Sequence, residues 1–165
     1  LEACPEIKVS DDAIAAGLGT VRWPARLQRL SKGPLVAALP AGWAIWLDGT
    51  HNAGGAEVVA ATMRTWPKRP LHIVFATQKQ RQPQPIFRPF LGLVDSVHGV
   101  PIPDLPSSHD PETIAAAARE LGLPGTASPS VAAAIADIVA KGGATGRILI
   151  CGSLYLAGSV LAENG

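Results

Sequence analysis

Apolar and polar positions along the chain fall into short blocks, not one continuous stripe. Ala44–Leu47, Leu71–Ala76 and Arg147–Cys151 are near-continuous apolar runs, the pattern of strands covered on both faces. Asp95–Val100 alternates as a further strand. Between these runs lie stretches of helical composition. Ala53–Thr65 sets Val58, Val59 and Met63 among small residues and is stopped by Pro67 and Pro70. Asp110-Pro111 opens a helix to about Leu121, and Ser128-Pro129-Ser130 opens another over Val131–Lys141. Proline at a first helical position has its φ preset and lacks only a donor that would be orphaned there. Leu154–Ala162, Ile86–Leu93 and, more weakly, Asp11–Gly19 complete the helical segments. Near the start, Arg26–Leu30 and Leu35–Leu39 flank Ser31-Lys32-Gly33-Pro34, which predicts an N-terminal hairpin. Strands alternating with helices predict an α/β fold of three layers: a mostly parallel sheet with helices on both faces, in a single domain over residues 1–165.

Composition narrows the function classes. The 165 residues are 47% hydrophobic and 16% charged, enough apolar material for a sizeable core at this length. The formal charge is only +1, without the basic excess that gives nucleic-acid-binding domains their affinity for phosphates. The longest uncharged apolar stretch, Ile148–Ala162, is interrupted by glycines and serines and is short of the ~20 residues a membrane span needs. Cys4 and Cys151 sit at opposite ends of the chain, without zinc or redox spacing, which suits a reducing cytoplasm. Because the sequence opens on Leu1 and its single methionine is Met63, the expectation is a piece of something longer.

In open α/β sheets, ligands collect beyond the carboxyl ends of the strands. Two segments have that layout. Asp48-Gly49-Thr50-His51-Asn52 follows one apolar run and Gly152-Ser153 follows another, each leading into a helix. The first combines a carboxylate, an imidazole and a carboxamide beside small residues. A plainer reading stands beside it, in which Asp48 and Asn52 cap the next helix and His51 is solvated. Gly152-Ser153 is equally consistent with a turn and a helix cap. Lys68, Arg69, Lys79 and Arg81 read as loop charges, and His72, His98 and His109 lack metal-ligand spacing. No stretch matches the phosphate loop G-x-x-x-x-G-K-[ST].

Three motifs in order resemble a known family. Trp23-Pro24-Ala25-Arg26-Leu27-Gln28 resembles the W-P-G-R-[LF]-Q segment of folylpolyglutamate synthases and bifunctional dihydrofolate synthases. Leu47-Asp48-Gly49-Thr50-His51-Asn52 resembles their D-G-A-H-N signature, and Cys151-Gly152-Ser153-Leu154-Tyr155-Leu156-Ala157-Gly158 resembles their G-S-L-Y-L-x-G. The likeness is to the C-terminal domain of these Mur-superfamily ligases, whose sheet is Rossmann-like. Ala25 and Ala53 depart from the family's Gly and Pro, and Lys79-Gln80 from its Lys-Asp.

The resemblance implies an ATP-dependent ligase that adds L-glutamate to a folate or dihydropteroate carboxylate through an acyl phosphate. It implies that Arg26 and Asp48 bind ATP, that His51 sits at the reaction centre, and that Ser153, Tyr155 and Lys79 bind glutamate. It also implies an N-terminal ATPase domain in the same polypeptide, supplying the phosphate loop and the Mg²⁺ ligands, so that this chain carries no metal ligand and is inactive alone. Two alternatives remain open: another amide ligase of the superfamily, and a free-standing nucleotide-binding module without catalysis.

Overall fold

The computed structural model describes residues 9–21 and 23–164, so Cys4 lies outside the described residues. The apolar runs form the predicted strands: β2 (Trp43–Leu47), β3 (Leu71–Phe75), β4 (Ser96–Gly99) and β6 (Gly146–Cys151). With β1 (Gln28–Arg29) and β5 (Gly125–Ala127) they make one six-stranded sheet, ordered β1-β2-β6-β3-β4-β5. Every pairing is parallel except that of β1 with β2.

The helices are α1 (Asp11–Thr20), α2 (Pro34–Ala37), α3 (Ala53–Arg64), α4 (Gln84–Phe87), α5 (Pro111–Glu120), α6 (Val131–Lys141) and α7 (Leu154–Asn164). A 3₁₀ turn, Arg88–Phe90, extends α4. The connections through α3, α4 and α5 run in one direction across the sheet, whereas the connection through α6 returns to its centre. Right-handed crossovers therefore put α3–α5 on one face and α6 on the other. Ile45, Leu47, Ile73, Phe75, Ile148, Leu149 and Ile150 are fully buried between these layers. None of the described helices is long and apolar enough to cross a membrane.

The predicted hairpin does not form. Leu35–Leu39 is not a strand, because Gly33 and Pro34 begin the short helix α2. Its start is held from the far end of the chain: Asn164 Oδ1 accepts from the Leu35 N–H at 3.0 Å, and its Nδ2 donates to the Lys32 carbonyl at 2.6 Å. Only the first arm survives, as the two residues of β1. Strand β5 has no apolar residue larger than alanine, and the sequence reading passed it over.

The sheet positions the two candidate loops side by side. β2 and β6 are parallel neighbours, with Leu47 opposite Ile150. Pairing continues past both strand ends, since Asp48 N–H donates to the Ile150 carbonyl at 3.0 Å and Gly152 N–H to the Thr50 carbonyl at 2.8 Å. Gly152 has φ +111, and a Cβ there would be driven into the Ala76 carbonyl and 2.7 Å from the Phe75 ring. Glycine is required at this junction.

Candidate functional site

Asp48 organises the site from below. Its carboxylate, 4% exposed, accepts from the Leu27 N–H at 2.6 Å, from the Thr50 N–H at 2.7 Å and from the Thr50 hydroxyl. Two of these fall on Oδ1 and one on Oδ2, so Oδ2 retains acceptor capacity for a ligand hydroxyl. The carboxylate ties the loop after β2 to the segment before β1, and Gly49 N–H adds a bond to the Ala25 carbonyl at 2.8 Å.

That segment is bent sharply around Arg26. Ala25 (φ +54) and Leu27 (φ +43) both occupy the left-handed region, which costs roughly 1–2 kcal/mol per non-glycine residue. The conformation is over-determined by the bonds to Asp48 and Gly49 and by Gln28 Oε1, which accepts from the Ala25 N–H at 2.9 Å. The exposed Arg26 side chain is thereby delivered above Gly49, where a Cβ would lie 2.7 Å from its Nη1 and would also collide with Leu154. Residues from all three motifs meet at this glycine.

His51 stands between two hollows. The larger, about 420 Å³, is lined by Arg26, Leu27, Asp48, Thr50 and Asn52 on one side and by Val58 and Val59 of α3 on the other. The smaller, about 110 Å³, is lined by Ser153, Leu154, Tyr155, Thr77 and Arg81. His51 lines both. Its Nδ1 is 2.8 Å from the Gly49 carbonyl. A carbonyl only accepts, so Nδ1 carries the hydrogen and Nε2 of the neutral ring is left as an acceptor. Asn52 is spent as the cap of α3, its Oδ1 accepting from the Gly55 N–H at 2.8 Å.

Ser153 is 4% exposed, and its Oγ accepts from the Tyr155 N–H at 3.1 Å. The Tyr155 side chain is 60% exposed at the mouth of the smaller hollow. The structure thus brings together Arg26, Asp48, His51, Ser153 and Tyr155. Lys79 stays outside: its Nζ donates to the Pro106 carbonyl at 3.1 Å, and it lines neither hollow. Arg81, read from the sequence as a loop charge, takes the inward place and donates to the His51 carbonyl at 3.1 Å. Thr77 was also missed. It is fully buried, its hydroxyl has no partner among the described residues, and it lines the smaller hollow. The available signal was its place just beyond a central parallel strand.

Among the described residues no three His, Cys, Asp or Glu side chains gather into a cluster that could hold a metal ion. Cys151 is buried beneath the site, where burial and, second, the Asp48 charge push its thiol pKa far up. It is a packed side chain and not a nucleophile.

Comparison with known proteins identifies the family and the fold. Residues 39–163 match the family model described as dihydrofolate synthetase, C-terminal domain. A probable bifunctional folylpolyglutamate synthase/dihydropteroate synthase of Halobacterium salinarum is 32% identical over 150 residues, covering 89% of this chain and 17% of its own length. A Mycobacterium tuberculosis folylpolyglutamate synthase complexed with ADP superposes with a TM-score of 0.76 at 24% identity, over 94% of this chain and 35% of that one. A bifunctional folylpolyglutamate synthase/dihydrofolate synthase with Mn, AMPPNP and L-glutamate bound gives 0.75 at 19% identity, over 95% and 36%. The chain therefore spans about a sixth to a third of the length of these proteins, and the two structures establish a shared fold. The match over residues 39–163 takes in the Asp48–Asn52 and Gly152–Tyr155 loops, and the chain belongs to the dihydrofolate synthetase C-terminal domain family.

Proposed function

We propose that this chain is the C-terminal part of a cytoplasmic ATP-dependent ligase that joins L-glutamate to a folate or dihydropteroate carboxylate. The observation that carries the reading is His51 as a shared wall, with Arg26 and Asp48 on one side and Ser153, Tyr155 and Arg81 on the other. A nucleotide fits the larger hollow, with its base against Leu27 and Val58, a ribose hydroxyl on Asp48 Oδ2 and its phosphates toward Arg26. An amino acid fits the smaller one, with a carboxylate on Arg81 and the Thr77 and Ser153 hydroxyls. The structural neighbours bind ADP, AMPPNP and L-glutamate, which supports ligands of these two kinds.

In the reaction so assigned, a carboxylate oxygen of the acceptor attacks the γ-phosphorus and ADP departs. The glutamate amine then attacks the acyl carbon, and phosphate leaves with the electron pair of the broken bond. Arg26 stands where phosphoryl charge develops. His51 Nε2 accepts from the attacking amine, and its fixed Nδ1–H keeps that nitrogen aimed at the reacting pair. A divalent cation accompanying the nucleotide, expected to be Mg²⁺, takes its ligands from outside the described residues. The phosphate loop belongs to a preceding ATPase domain of the same polypeptide. Exposure of Val58 (68%), Leu154 (50%) and Tyr155 (60%) around the two hollows fits a surface which that domain covers.

Ligase kinetics on the complete protein test the reading. Arg26→Ala and His51→Ala are each expected to lower turnover on the order of a hundredfold or more. Arg26 is exposed and His51 half-buried, so the unfolding midpoint should barely move. Unchanged turnover in both variants would refute the assignment.

A further inference from the structure

A hollow of about 600 Å³, larger than either hollow around His51, lies at the opposite end of the sheet, beside the first residues of β3 and β6. It is lined by four cations, Arg64, Lys68, Arg69 and Arg147, and one carboxylate, Asp95. In a chain whose formal charge is only +1, this is a marked local concentration of positive charge.

Two of the cations are held in place by neutral groups. Arg147 Nη1 donates to the Pro67 carbonyl at 2.9 Å, and its guanidinium lies over the Trp66 ring, 5.1 Å from the centroid. Trp66 is in turn backed by Trp46, with ring centroids 4.5 Å apart. Arg64 donates to the Pro89 carbonyl. Carbonyl tethers and aromatic stacking fix a guanidinium without neutralising it. None of the four makes an ion pair within 4.0 Å among the described residues. Asp95, whose Oδ2 accepts from the Leu71 N–H at 2.8 Å, is a single carboxylate against four cations. The proton affinity of Arg147 is lowered, first by burial and then by repulsion from Arg69. The cations thus oppose one another in a space large enough for a ligand of some size.

We propose that this hollow is a second binding site, for a multivalent oxyanion of phosphate or polycarboxylate type, held by Arg147 and Arg69 with Lys68 and Arg64 at the rim. Guanidiniums without an ion-pair partner among the described residues, that of Arg147 fixed by Pro67 and Trp66, suit bidentate recognition of paired oxygens, which both anion types present. The site is independent of the ligase reading, since it shares no lining residue with the two hollows around His51.

Inorganic pyrophosphate and citrate, titrated separately into the isotopically labelled 165-residue chain at about 0.15 M salt, test the proposal. At that ionic strength the Debye length is about 8 Å, and diffuse attraction to exposed charges is largely screened. The expected result is saturable movement of the amide signals of Arg69, Leu71 and Arg147. Arg69→Gln combined with Lys68→Gln should weaken binding about tenfold, equivalent to ~1.4 kcal/mol, whereas Arg26→Ala should leave it unchanged. Arg69 and Lys68 are exposed, so the double variant keeps its fold even if Arg147→Gln, which unstacks Trp66, does not. Tighter binding of pyrophosphate identifies a phosphate ligand, and tighter binding of citrate a polycarboxylate. Movement confined to residues 26–52, no saturation with either probe, or equal affinity in the double variant overturns the proposal.

Discussion

Ala25 shows how a single residue is held where its own preference would not put it. Its φ of +54 lies where glycine is favoured, yet its methyl group is buried, the residue being 4% exposed and part of the core. The burial of about one methyl offsets much of the strain. The restraint comes from Asp48, 23 residues further along, whose carboxylate is surrounded by donors alone. Asp48→Asn turns an NH₂ toward either Leu27 or Thr50, setting donor against donor at a cost of roughly 1–3 kcal/mol. Thermal unfolding should register a fall of several degrees, and the loosened Leu27 turn should also lower ATP affinity in the complete protein. A variant with the parent's melting temperature would show that the Asp48 bonds contribute nothing. Arg26→Ala is the contrasting case, in which activity should fall while stability holds.

At the scale of elements, the strands were legible where burial on both faces left an uninterrupted apolar run, as in Ile45, Ile73 and Ile148. Helix starts were legible where a cap preceded them: Asp110 Oδ1 accepts from the Glu112 N–H at 2.8 Å and Ser130 Oγ from the Ala133 N–H at 3.1 Å. The Arg26, Asp48, His51, Ser153 and Tyr155 positions were legible because their motifs are local. Helix α2 was misread because its Leu35 cap comes from Asn164, a tertiary partner no local pattern records. Lys79 was misplaced, and Arg81 overlooked, because the direction of a polar loop depends on Pro106 and Ser107, which fix Lys79 from another segment. Nor did the sequence reveal the pair of imidazoles between β3, β4 and α6. Ser96 Oγ lies 2.8 Å from His72 Nδ1 and 3.1 Å from His98 Nε2. One hydroxyl proton serves one ring, so the other ring must donate. Burial, chiefly, lowers both pKa values. Asp95 opposes the shift at His72; Asp137 opposes it at His98, while His72 and Lys141 reinforce it there. A histidine whose folded pKa is depressed takes up protons more readily when unfolded. Its contribution is complete above the unfolded value of about 6.5 and is lost as pH falls through the folded value. The melting temperature should therefore decline on acidification below about pH 6.5, with a shallower slope in His98→Gln. A level profile between about pH 7.5 and 5 counts against this account.

At the scale of the whole molecule, the two hollows around His51 open on one side to residues that remain exposed, among them Val58 and Tyr155. The chain on its own should bind ATP weakly, because Arg26 is the only Lys or Arg among the described residues lining the larger hollow and a triphosphate needs several. Calorimetric titration checks this, and micromolar or tighter affinity would contradict it. The order β1-β2-β6-β3-β4-β5 carries a further consequence for how such a chain comes into being. The strand that joins β2 to β3 is translated last of the six, so until residues 146–151 leave the ribosome the sheet exists only as two halves with raw inner edges. Thr50 and Gly152 cannot meet before then. A nascent or prematurely terminated product is consequently not a weakened version of the finished protein but one without a middle, and quality control has a clear structural difference to act upon.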